Sequence, residues 1–197
     1  MVRRRGFTMV ELLVVIAIMG VLTLLSVGTY SSFRKGRKVV SGAGGVSATF
    51  SAARSYAIAT NGWYTVVFQF RNPVSGAEQA SFWIDEVYPG SGASAPSTSN
   101  PFPPAYLQRK RPRVTTPQLL PDGVRLSDVV INTTGTVAYS DPAYSQVAVL
   151  FEPDSTSDQA SVHLIEANAD SSIPENYCTV KLYGPTAKAR VFINQKN

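Results

Sequence analysis

One uninterrupted apolar run, from Phe7 to Tyr30, constrains this chain more than any other feature of its 197 residues. It reads FTMVELLVVIAIMGVLTLLSVGTY and carries a single charge, Glu11. About 24 residues at about 1.5 Å each make a helix of about 36 Å, enough to cross the roughly 30 Å hydrocarbon layer of a bilayer. A lone segment in lipid must satisfy its own backbone hydrogen bonds, so the run is expected to be helical. Gly20 and Gly28 loosen that helix, while Thr23 and Ser26 are placed to bond back to carbonyls one turn earlier. A carboxylate such as Glu11 costs about 2.5–3.5 kcal/mol to insert at mid-membrane, so its presence demands a purpose.

The net charge of +5 belongs largely to the flanks of this run. Arg3, Arg4 and Arg5 precede it, and Arg34, Lys35, Arg37 and Lys38 follow it. From Arg54 onward eleven basic residues face twelve acidic ones, so the remainder is close to neutral. Basicity placed in this way points to a membrane surface before it points to a nucleic acid. A cleaved secretory signal would need a shorter apolar core and a small-residue cleavage site, neither of which is present. Arg4-Arg5-Gly6-Phe7 fits a twin-arginine core, but it lacks a cleavage site too. The single cysteine, Cys178, excludes an intrachain disulfide framework and a multi-cysteine zinc site. The single histidine, His163, leaves most catalytic triads and histidine metal clusters without members. No enzyme activity, metal or cofactor is expected.

The segment Arg5-Gly6-Phe7-Thr8-Met9-Val10-Glu11-Leu12-Leu13-Val14-Val15 resembles the class III leader of type IV prepilins and type II secretion pseudopilins. The resemblance implies that a prepilin peptidase cuts after Gly6 and methylates the new N-terminal residue, Phe7. It also implies that Glu11 meets the N-terminal ammonium of a neighbouring subunit, a charge pair that offsets the cost of burying each partner alone. The leader then faces the cytoplasm of a bacterium, and the C-terminal head lies in the periplasm beyond a single-pass inner-membrane anchor. The positive-inside rule by itself weakly favours the reverse orientation. The implied partners are the peptidase, other pilins or pseudopilins in a filament, and inner-membrane lipid.

Beyond the basic cluster, Val39, Ala43, Val46, Phe50, Ala53 and Ala57 recur at steps of three and four, forming one apolar helical stripe. Asn61-Gly62 marks the helix end near Thr60. Gly42, Gly44 and Gly45 each weaken it by about 1 kcal/mol relative to alanine, so tertiary packing must hold it. After Gly62 the period becomes two. Residues 63–70, 81–87, 124–131, 146–152, 161–167, 177–183 and 189–194 read as strands, separated by Pro-, Asn- and Gly-rich turns. The expected fold is α+β, a long N-terminal helix followed by an antiparallel β head of two small sheets. Its divisions are a leader at 1–6, a membrane and assembly helix at 7–30, an amphipathic continuation at 31–60 and a head at 61–197. An exposed loop is expected at about 88–121.

Within the head, Ala52-Ala53-Arg54-Ser55-Tyr56-Ala57-Ile58, Leu120-Pro121-Asp122-Gly123-Val124 and Phe151-Glu152-Pro153-Asp154 are similar to the H-type minor pseudopilins of type II secretion and their FimT relatives. A secretion pseudopilus, a type IV pilus and a DNA-uptake pilus all remain open as the machine served. Arg109, Lys110, Arg111 and Arg113 form the one dense basic run of the head and are candidates for phosphate contact. Some DNA-binding relatives carry a C-terminal Gly-Arg-x-Arg element. Here Ala187-Lys188-Ala189-Arg190 keeps two charges, Lys188 and Arg190, without the glycine. Asp154-Ser155-Thr156-Ser157-Asp158 offers oxygen ligands but lacks the full spacing of a calcium loop, and reads as a polar turn.

Overall fold

The computed structural model describes residues 9–70, 79–88, 108–132, 136–140 and 146–196, and within them the side chains of 24–35, 108 and 136–140 stand outside the description. The chain divides into two units, Met1–Arg37 and Lys38–Asn197. The leader, Gly6 and Phe7 lie outside the described residues.

Helix α1 runs from Met9 to Thr60. In the first unit its described side chains, Met9 to Thr23, are all exposed. Thr23 Oγ1 donates to the Met19 carbonyl at 2.7 Å, the back-bond that its position calls for. The corresponding side chain of Ser26 lies outside the described residues. Among the described residues no helix is long and apolar enough to cross a membrane. The last seven residues of the expected span, 24–30, have no described side chains.

In the second unit the stripe of Val39, Ala43, Val46, Phe50, Ala53 and Ala57 is buried in a single core shared with two antiparallel sheets. α1 ends where Asn61 takes a left-handed φ of 49° and Gly62 N–H returns to the Ala57 carbonyl at 3.1 Å. Gly42 serves this packing, since a Cβ there would stand 3.3 Å from Pro121 and 3.4 Å from Leu120. Lys38 Nζ donates to the Asp122 carbonyl, tying the same Pro121-Asp122-Gly123 turn to the helix.

The first sheet has the order β3-β2-β1-β7, with β4 also on β2: β1 is Trp63–Gln69, β2 Ser81–Tyr88, β3 Gln108–Arg111, β4 Gln118–Leu119 and β7 Gln146–Phe151. The second has the order β10-β9-β8-β5-β6: β5 is Val124–Asn132, β6 Thr136–Ser140, β8 Gln159–Glu166, β9 Tyr177–Tyr183 and β10 Lys188–Ile193. All pairings are antiparallel. The fold is thus α+β, a helix followed by two antiparallel sheets.

Strands β1, β2 and β7 of the first sheet are buried on both faces. Tyr64, Val66, Phe68, Phe82, Ile84, Val147, Val149 and Phe151 join the main core, while Val67, Trp83, Val87, Ala148 and Leu150 form a second apolar cluster on the opposite side with Trp63. The expected period of two is therefore weak in β1 and β7, where consecutive apolar residues are buried on opposite faces. The stretch from 88 to 121 departs from the expected loop, because β3 and β4 lie within it and pair with β2. Its residues 89–107 lie outside the described residues. β3 has no apolar alternation to announce it; ion pairs to β2 supply what the sequence pattern lacks.

Candidate functional site

Glu11 stands in the first turn of α1, among the exposed apolar side chains Val10, Leu12, Leu13, Val14 and Val15. Acidic groups are favoured in a first helical turn, where the backbone N–H groups point outward. The structure therefore presents a carboxylate at the head of an apolar rod. Of the predicted processing site, Gly6 and Phe7 lie outside the described residues.

The basic run of β3 is held by acids of β2. Asp85 is fully buried, and its Oδ1 accepts the Arg113 N–H at 2.6 Å. Arg109 Nε lies 2.9 Å from Asp85 Oδ2, near enough for ion pairing though out of line for a hydrogen bond. Arg109 also donates to Gln146 Oε1 at 3.3 Å. Lys110 Nζ meets Glu86 Oε1 at 2.6 Å, and that bond and charge hold the lysine above its ordinary pKa. Arg113 has a left-handed φ of 51°, and its guanidinium lies 5.7 Å from the centre of the buried Trp83 ring. Arg111 is exposed on the same strand. The sequence names the cations; it does not name Asp85 and Glu86 as their counter-ions. An acid in the middle of Phe-Trp-Ile-Asp-Glu-Val, where both faces are apolar, is the signal that a partner is needed.

A second polar cluster lies on the face of the second sheet away from α1. A bulge at Ser127 shifts β5, so that Leu126 pairs with Leu164 and Asp128 with His163. Val124, Leu126, Val129 and Ile131 stay in the core because of this shift, and Asp128 is turned outward to His163 Nδ1. Lys196 Nζ reaches Asp128 Oδ2 at 3.1 Å and sits 4.5 Å from the Tyr177 ring centre. Burial alone would raise the Asp128 carboxyl, but hydrogen bonds and charge from His163 and Lys196 outweigh it and hold it below the usual value. This cluster ties the C-terminal segment to the sheet. His163 is accordingly a buried structural residue. Cys178 is buried in β9, where desolvation pushes its thiol up to about 11 and leaves it unreactive.

Two carboxylates of the 152–158 turn are engaged, Asp154 within the turn and Asp158 with β7. Asp154 accepts from Thr156 N and Oγ1 at 2.9 and 2.6 Å, and Asp158 accepts the Leu150 N–H at 3.0 Å. Gly184 is required beside this turn, since a Cβ there would come within 2.9 Å of the Ser157 carbonyl. Among the described residues no group of three His, Cys, Asp or Glu side chains is placed to hold a metal ion. Lys188 and Arg190 fall on β10, at the edge of the second sheet and away from β3 in strand order.

Residues 1–27 match the family model described as the prokaryotic N-terminal methylation motif. No curated protein and no solved structure matches the chain. The motif is the one carried by type IV pilin-like and pseudopilin chains, which prepilin peptidase processes and which assemble with other pilins. Chains of that class are structural subunits, anchored in a membrane before they enter a filament.

Proposed function

We propose that this chain is a minor pilin or pseudopilin of the H-type, a structural subunit of a type II secretion pseudopilus or a type IV pilus. Prepilin peptidase cuts between Gly6 and Phe7 and methylates Phe7. Residues 7–30 anchor the chain in the inner membrane with the head, residues 61–197, in the periplasm. Residues 31–60 carry the helix onto that head. The observation that carries this reading is a carboxylate, Glu11, in the first turn of an exposed apolar helix that lies within the matched methylation motif. An apolar face left uncovered over Met9 to Leu22 needs lipid or other helices around it. Glu11 then supplies the charge partner for a neighbour's methylated ammonium, and Leu12–Leu25 supplies the packing surface.

The test is Glu11→Val. Membrane insertion is expected to persist, because the change removes a carboxylate that is costly to place in an apolar span. Incorporation into filaments, measured by shearing and immunoblotting, is expected to fall sharply. Normal incorporation would refute the charge-pair step, and a mature protein that retains its first six residues would refute processing itself. DNA capture draws little support from β3, because Arg109 and Lys110 already face Asp85 and Glu86.

A further inference from the structure

β10 closes the second sheet on one side, and no described strand lies beyond it. An open edge offers a row of backbone N–H and C=O groups to another strand. The β7 edge of the first sheet is handled differently. There the Leu150 N–H donates to the Asp158 carboxylate, the Asp158 N–H returns to the Leu150 carbonyl at 3.0 Å, and the Glu152 N–H reaches Thr156 O at 2.9 Å. The chain's own 152–158 turn occupies the C-terminal end of that edge. Among the described residues nothing does the same for β10.

The two faces of β10 differ in chemistry. Ala189, Val191 and Ile193 stand opposite Leu182, Val180 and Cys178, all of which are buried. The core face of the sheet therefore runs out to the edge, where Val191 is 37% and Ile193 55% exposed. On the other face Lys188 stands opposite Tyr183 and Arg190 opposite Lys181. Like charges directly opposite one another repel. Among the described residues none of Lys181, Lys188 and Arg190 meets a carboxylate. Arg190 instead lies 5.9 Å from the Tyr183 ring centre.

We propose that β10 accepts an extended segment of another protein chain as a further strand, one that places acidic side chains beside Lys188 and Arg190 and apolar ones beside Val191 and Ile193. Main-chain hydrogen bonds supply affinity in such strand addition, and alternate side chains supply selection. Basic edge residues ordinarily repel unwanted strands, and an acidic partner turns that repulsion into a filter. A nucleic acid would answer the cations but leave the open backbone edge, Val191 and Ile193 unmet, so an acidic polypeptide fits more of the surface.

The experiment uses the full chain in detergent micelles and a labelled peptide of about eight residues that alternates glutamate and valine. Saturable binding is expected, weakened about ten-fold or more by Lys188→Glu with Arg190→Glu, with preference passing to a lysine–valine peptide. Methylating the amide nitrogens on one edge of the acidic peptide should abolish binding, because a strand needs them. Lys188→Ala and Arg190→Ala, each at an exposed position, are expected to weaken binding about three-fold and serve if the double reversal does not fold. Equal binding of the N-methylated peptide would overturn the proposal in favour of charge attraction alone. Tighter binding of a single-stranded oligonucleotide would overturn it in favour of a nucleic-acid surface. No peptide binding, together with self-association of Lys188→Val/Arg190→Val, would reduce the two cations to guards of the edge.

Discussion

Strands β3 and β10 both carry clustered positive charge, and the fold treats them in opposite ways. On β3 the dense run from Arg109 to Arg113 lies against Asp85, Glu86 and Trp83, so much of its charge is answered within the chain. On β10 the sparser pair Lys188 and Arg190 faces Lys181 and tyrosine, with no carboxylate among the described residues. The sparser cluster therefore presents the more open charge. Density of basic residues along a sequence is a poor measure of surface potential once strands from elsewhere bring acids alongside.

The largest effect is expected from Asp85→Ala. It removes the acceptor of the Arg113 N–H and the charge facing Arg109, at a cost of about 2–4 kcal/mol. Denaturant unfolding should show the loss, and the amides of β3 should exchange faster. Unchanged exchange over residues 108–113 would mean that strand pairing alone holds β3, and the contrast with β10 would fail.

Next in size is the pH response of the turn that covers the end of β7. Burial pushes the Asp158 carboxyl up to about 6 from an ordinary 3.8, against the hydrogen bond from Leu150. Between these values the folded chain holds a proton that the unfolded chain has released. Stability from this group is therefore highest below about pH 4, falls as pH rises through 6, and stays reduced above it. Asp158→Asn keeps an acceptor for Leu150 and cannot ionise. It should gain up to about 2–3 kcal/mol over the parent at pH 7 and far less at pH 4, read from unfolding midpoints at the two values. An advantage equal at both pH values would remove ionisation as the cause.

The smallest effect should come from Arg190→Glu, which replaces the Lys181–Arg190 repulsion by attraction and stabilises by about 0.5 kcal/mol. Lys110→Glu, set against Glu86, should shift stability the other way. If both variants moved the unfolding midpoint in the same direction, the distinction between an answered and an unanswered cluster would not hold.

Much of the fold is legible in local pattern. The stripe from Val39 to Ala57 faces the core because its spacing matches a helix, and strands such as Trp63–Gln69 and Tyr177–Tyr183 follow from their β-branched and aromatic content. β3 and β4 escape such reading. Gln108–Arg111 is wholly polar and Gln118–Leu119 is only two residues long. The bulge at Ser127 escapes it too, although without it Asp128 would point into the core and Val129 away from it.

The amino-acid sequence by itself determined what depends on neighbours along the chain. It set an apolar helix with one acid, a methylation motif that includes most of that helix, and strands divided by turns. Only the tertiary structure decided which charges are answered and which edges are closed. Asp85 meets Arg109 and Asp128 meets Lys196 across long stretches of sequence, and the Asp158 turn folds back over β7 while nothing described covers β10. The physical reason is that periodicity and motif are properties of adjacent residues. Charge compensation and edge pairing depend on which strands lie side by side, and that is settled only when the sheets close on their shared core.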